Sequence, residues 1–125
     1  MIKNFTFIIF LLIAGVAMAS TLDQALQPIV GKWIRPDSGA TVEIVRISPG
    51  GQLEANYYNP SLVKLTKAEA SLSGEQINIF IEVLYVEHPF PNYHLAYDPQ
   101  SDQLKGDYYE ATDGKHYQVL FDRLK

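Results

Sequence analysis

Seven clusters of turn-forming residues divide the chain after residue 30 at near-regular intervals. They are Pro36-Asp37-Ser38-Gly39, Pro49-Gly50-Gly51, Asn59-Pro60-Ser61, Ser73-Gly74-Glu75, His88-Pro89-Phe90-Pro91-Asn92, Asp98-Pro99-Gln100-Ser101-Asp102 and Thr112-Asp113-Gly114. Each combines residues that preset φ with residues that tolerate positive φ. The segments they bound alternate in polarity. Leu53, Ala55 and Tyr57 share one face and Gln52, Glu54 and Asn56 the other; Ile77, Ile79, Ile81, Val83 and Tyr85 form a second such series. Tyr93, Leu95 and Tyr97 oppose His94 and Asp98, and Tyr117, Val119 and Phe121 oppose His116, Gln118 and Asp122. Period-two patterning between hairpin-length turns predicts an antiparallel meander with one buried face. With eight short segments and no connection long enough for an easy crossing, the expected fold is all-β. The expected form is an eight-stranded up-and-down barrel, since closure removes exposed edges.

One helical element is expected ahead of the strands. Thr21 and Gln24 have capping-box spacing, and Leu22, Ala25, Leu26 and Ile29 recur at helical intervals until Pro28 limits the run to a short turn. Before it, Lys3 precedes an apolar run from Phe5 to Val16 that ends in Ala17-Met18-Ala19. This is the three-part pattern of a secretory signal, with cleavage expected after Ala19. A run of about a dozen apolar residues is short of the roughly 20 that span a bilayer. The expected organisation is a cleaved signal over residues 1–19 and one domain over 20–125, periplasmic or secreted from a bacterium, with no membrane span in the mature form.

Composition narrows the function classes. The chain has 125 residues, 10 basic and 14 acidic side chains, and no cysteine. Zero cysteines exclude disulfide scaffolds, thiolate-held zinc and thiol catalysis. A net charge of −4 argues against nucleic acid as a partner, because that affinity needs an excess of cations facing phosphate. No cofactor is expected: there is no phosphate-cradling glycine loop and no set of convergent metal ligands. His94 and His116 fall on outward faces and His88 in a turn, while Asp98 and Asp102 lack the ligand spacing of a calcium loop. No nucleophile motif occurs, so no enzymatic activity is expected.

The Gly31-Lys32-Trp33 opening, followed by Gly39 and an alternating strand from Thr41, resembles the calycin group of lipocalins, fatty-acid-binding proteins and avidins. That resemblance implies a tryptophan plugging one end of a barrel and an arginine from the last strand stacked on it. The matching residues here are Trp33 and Arg123, a barrel-closing structural pair. Gly51 to Tyr57 also looks avidin-like, but Arg35 and Ala40 stand where that family's biotin-binding Asn and Ser would be, so biotin is not the expected ligand. The mature chain is most similar to small exported bacterial proteins of unknown function. Their segments resemble Ala55-Asn56-Tyr57-Tyr58-Asn59-Pro60, Tyr93-x-Leu95-x-Tyr97-Asp98-Pro99 and Leu104-x-Gly106-x-Tyr108.

The tyrosines are the remaining candidates. Tyr57, Tyr93, Tyr97, Tyr108 and Tyr117 all fall on faces assigned inward. Phenol rings fill space yet keep a hydroxyl that needs a partner when buried. Tyr57, Tyr93, Tyr97 and Tyr108 are therefore expected either to line a site for a small apolar or aromatic ligand at the open end, or to fill the interior. In the second case the chain is a solid interaction or inhibitor module, and its partner is another protein.

Overall fold

The computed structural model describes residues 22–125, and the expected signal segment lies outside them. Residues 22–26 are helical and run into a 3-10 turn, Gln27–Ile29. The expected short helix is thus present, and it buries Leu26 and Ile29 completely. Nine strands follow: β1 Gly31–Ile34, β2 Thr41–Ile47, β3 Leu53–Tyr58, β4 Leu62–Val63, β5 Leu65–Ser73, β6 Gln76–Val83, β7 Asn92–Asp98, β8 Gln103–Glu110 and β9 Lys115–Leu124. All seven turn clusters fall at junctions between strands, with Ser73, Asn92 and Asp98 as terminal strand residues.

The strands form one antiparallel sheet in the order β4-β3-β2-β1-β9-β8-β7-β6-β5. The all-β antiparallel meander is as expected, and it departs from an eight-stranded closed barrel on two counts: among the described residues there are nine strands, and no continuous ladder closes the sheet. Both have one cause, because the segment after Pro60 changes partner. Leu62 and Val63 pair with Tyr58 and Tyr57 of β3. At Lys64 the carbonyl turns to the Leu84 N–H, 2.9 Å away, and β5 then pairs along β6. Between the last residues before β3 and the middle of β5 the strand pairing is reduced to the isolated bridge between Gln52 and Glu69.

The buried face is apolar throughout. Trp33, Val42, Ile44, Ile79, Ile81, Tyr93, Leu104 and Phe121 are almost wholly withdrawn from solvent, and the buried set contains no charged residue. Alternation along β6 is complete, with Ile77, Ile79, Ile81 and Val83 buried. Burying each such aliphatic side chain contributes roughly 1.5–3 kcal/mol.

Antiparallel order gives the sheet two ends. At one lie Gly31, the 99–102 turn and Arg123, with the helical turn packed alongside. At the other lie the turns 36–39, 59–61, 84–91 and 111–114. They are called below the Arg123 end and the Arg35 end.

Candidate functional site

The six residues singled out from the sequence separate into two clusters. Tyr93 and Tyr97 share the inward face of β7 but stand four residues, roughly 13 Å, apart along the strand. Tyr97 therefore belongs to the Arg123 end, while Tyr57, Tyr93 and Tyr108 gather at the Arg35 end.

At the Arg123 end, Trp33 is fully buried and its indole Nε1–H donates to the Ile29 carbonyl at 2.9 Å. The Arg123 Cζ lies 4.2 Å from the Trp33 ring centroid. Strand pairing brings them together, since Trp33 is the direct partner of Arg123 across β1 and β9. Gly31 is what leaves room: its φ is 141°, and a Cβ there would lie 2.7 Å from Arg123 Nη1. The guanidinium donates to the carbonyls of Val30 at 3.0 Å and Pro28 at 2.6 Å, and by Nε and Nη2 to Asp102 at 2.8 and 3.0 Å. Asp102 takes a left-handed φ of 52°, which aspartate tolerates better than most residues. Tyr97 donates to the same carboxylate at 2.9 Å and sets its ring edge-on to Trp33. Hydrogen bonds from Arg123 hold the Asp102 carboxyl below its ordinary range. This end is a strap that fastens the helical turn onto the sheet.

The Arg35 end is organised differently. Tyr57 and Tyr93 are buried, their hydroxyl oxygens 2.9 Å apart, and Arg35 Nη1 donates to Tyr93 Oη at 3.1 Å. Tyr93 stacks on Tyr108, with centroids 4.4 Å apart, and meets Phe121 edge-on at 5.3 Å. The Arg35 Cζ sits 5.3 Å from the Tyr108 ring and 5.9 Å from that of Tyr93. Its remaining fork, Nε and Nη2, donates to both oxygens of Asp37 at 3.0 and 2.7 Å. Burial opposes the Arg35 charge, and the hydrogen bonds to Asp37 and Tyr93 outweigh it, so the guanidinium stays protonated. Burial, followed by the neighbouring Tyr93, raises Tyr57 above the usual phenol range; Tyr108 is raised for the same reasons. Both phenols are neutral at physiological pH. Among the described residues no buried side-chain nitrogen or oxygen lacks a partner.

Arg35 was not among the sequence candidates. The signal was available: two places after Trp33 on an alternating strand, Arg35 must face the same way as the tryptophan. Tyr117 corrects the opposite error. Its parity is inward, but it lies beyond the packed layer, is 44% exposed and donates to Asp113. Tyr85 likewise continues the inward series of β6 yet is exposed, because the strand ends at Val83.

Several apolar side chains are exposed around the Arg35 end. Val86 is 85% exposed and Leu62 63%, with Leu84 and Tyr85 beside them in exposure. A surface cleft of about 450 Å³ opens between Tyr85–Pro89 and Tyr109–Thr112. A larger, shallow groove of about 680 Å³ runs along the outer face of β5 to β8, over Phe80, His94, Lys105 and Asp107.

Among the described residues no three His, Cys, Asp or Glu side chains are placed to share a metal ion. His88, His94 and His116 are exposed, and His116 Nδ1 lies 2.6 Å from the Asp107 carboxylate. Asp98 acts as a turn opener: it accepts from Lys105, Ser101 and the Gln100 N–H, and those bonds bring its pKa down to about 2. No described helix is long and apolar enough to cross a membrane. No family model, curated protein or solved structure matches this chain.

Proposed function

We propose that this chain is an exported, non-enzymatic interaction module, a calycin-like barrel with a solid core that presents its Arg35 end to a protein partner. One observation carries the reading. Of the tyrosines that would line a ligand cavity, Tyr57, Tyr93 and Tyr108 form one packed aromatic cluster with Phe121 and Tyr97 packs on Trp33; the Tyr57 and Tyr93 hydroxyls are satisfied by each other and by Arg35, that of Tyr108 by Glu110 and that of Tyr97 by Asp102. An apolar ligand inside would have to break that network and leave buried hydroxyls unpaired, at roughly 1–3 kcal/mol each. Recognition then falls to the surface, and Leu62, Leu84 and Val86 at the Arg35 end supply apolar area of the kind that partners cover. The barrel reading is supported by the strand order, whose two terminal members, β4 and β5, are consecutive in the chain and separated by Lys64 alone. The signal pattern of residues 1–19 supports export, with a mature chain beginning at Ser20.

Two measurements test this. Native mass spectrometry of the protein purified from exporting cells is expected to give the bare chain from Ser20; a stoichiometric apolar adduct that survives dialysis would return the function to the interior. Photo-crosslinking from position 86 in those cells is expected to give a discrete protein adduct that the same probe at exposed Leu72, near the opposite end, does not. Equal labelling from both positions would remove the partner from the Arg35 end.

A further inference from the structure

We propose that the Arg35 fork is a carboxylate-binding site, filled in this state by the protein's own Asp37 and open to an external carboxylate that displaces it. Three observations lead there. The first is that the guanidinium is held in place without Asp37: Nη1 is tied to Tyr93, Tyr93 to Tyr57, and Cζ lies over the rings of Tyr108 and Tyr93, 5.3 and 5.9 Å from their centroids. The second is an asymmetry of exposure. The Arg35 side chain is only 13% exposed and that of Asp37 is 60% exposed, so the fork faces outward and its occupant stands in solvent.

The third observation concerns the turn. Residues 35–40 are closed by backbone bonds, Arg35 N–H to the Ala40 carbonyl and Gly39 N–H to the Arg35 carbonyl, both 2.8 Å. The Asp37 carboxylate can leave without opening them. A planar fork that presents two parallel donors is the geometry in which arginine recognises a carboxylate. Tyr108, half-buried beside it, offers a ring on which an adjoining apolar group can lie. Glu110 accepts from the same Tyr108 hydroxyl at 3.3 Å and disfavours a dianion at this rim.

The site narrows the preceding proposal and depends on it only for the source of the carboxylate, whether the acidic group of a partner protein or a free organic acid. Asp37, two residues from its arginine, competes with any external carboxylate, and since so exposed a pair contributes about 0.5 kcal/mol its removal strengthens external binding about twofold. The test is calorimetric titration of wild type, Asp37→Ala and the double variant Asp37→Ala/Arg35→Lys with benzoate, with benzamide as the neutral control. Asp37→Ala is expected to bind benzoate about twofold more tightly than wild type and to ignore benzamide. The double variant, which keeps the charge but loses the fork, is expected to lose that gain. Trp33 fluorescence, at the far end, reports that each variant is folded.

Equal benzoate affinity in wild type and Asp37→Ala, or an undiminished gain in the double variant, would overturn the site. A second pair of probes separates the sources: a hexapeptide ending in Phe with a free C-terminal carboxylate, and the same peptide amidated. Binding of the free-acid peptide alone supports both the site and a protein partner. Binding of benzoate with neither peptide supports the site and overturns the partner reading.

Discussion

The two ends of the sheet use the same chemistry for opposite purposes. Each has an arginine lying over an aromatic ring and bidentate on an aspartate. Arg123 joins distant parts of the chain: Asp102 is 21 residues away, and the carbonyls of Pro28 and Val30 are more than 90 residues away. Arg35 takes its aspartate from two residues along. A contact that closes a long loop holds tertiary structure together. One made within a turn fixes only the turn and can be exchanged at little cost. The difference teaches that an arginine–carboxylate pair has to be judged by what it joins, and it assigns structure to one end and recognition to the other.

The largest effect that distinguishes the ends is expected from Trp33→Ala. It removes a fully buried ring, its hydrogen bond to Ile29 and the surface under Arg123, for about 3–5 kcal/mol by denaturant midpoint. A loss below about 1 kcal/mol would show that the helical turn is fastened some other way. Arg123→Ala comes next. It leaves two backbone carbonyls without their arginine donor and Asp102 with Tyr97 alone, for about 2 kcal/mol, and Arg123→Lys is expected to restore little because one ammonium cannot serve three acceptors in that geometry. Full rescue by lysine would reduce the strap to a simple charge effect.

Tyr93→Phe probes the other end. The ring stays, but buried Tyr57 Oη and Arg35 Nη1 each lose a partner, so about 1–2 kcal/mol is expected. Because the Tyr93 hydroxyl positions the guanidinium, the same variant should also weaken any carboxylate binding measured in the Asp37→Ala background. A stability loss with unchanged binding would separate the tyrosine network from the fork.

How far these ends were legible in the sequence follows from what fixes each. Turn composition and period two locate the segment boundaries except at Lys64, where a strand changes partner without any turn residue to announce it, and at Val83, where β6 ends ahead of the turn cluster that begins at His88. Trp33 and Arg123 could be paired because they sit in the first and last strands of a meander, where strand order decides proximity. The tyrosines could be assigned to a face but not to an end, since alternation carries no information along the strand. Hence the pattern groups Tyr97 with Tyr93 and counts Tyr117 and Tyr85 inside, although both are exposed. Arg35 was passed over because a charged residue on an inward face contradicts the pattern used to find the core.

The pH dependence of the strap is smaller. Asp102 is held below the value of about 3.9 expected in an unfolded chain, chiefly by hydrogen bonds from Arg123. A carboxylate lowered on folding contributes stability above the unfolded value and loses it as pH falls through the folded one. Asp102→Asn is therefore expected to cost under about 1 kcal/mol at pH 7 and to flatten the stability profile below about pH 4, since the group is partly exposed. An unchanged acid limb in the variant would mean that another carboxylate governs it.

The smallest effect is expected from Asp37→Ala, and it bears most directly on the comparison. The variant removes a bidentate ion pair of better geometry than most surface pairs, with bonds of 3.0 and 2.7 Å. Yet the turn is closed by backbone bonds, and the arginine is held by Tyr93 and by the rings beneath it. The aspartate is largely in water, where such pairs contribute about 0–1 kcal/mol, so a stability change within about 0.5 kcal/mol is expected. A loss approaching that of Arg123→Ala would make Asp37 a second strap and erase the distinction between the ends. A near-zero change means that so well-formed a pair contributes little to folding, which leaves the exchange of its carboxylate as the reason for a fork aimed at solvent.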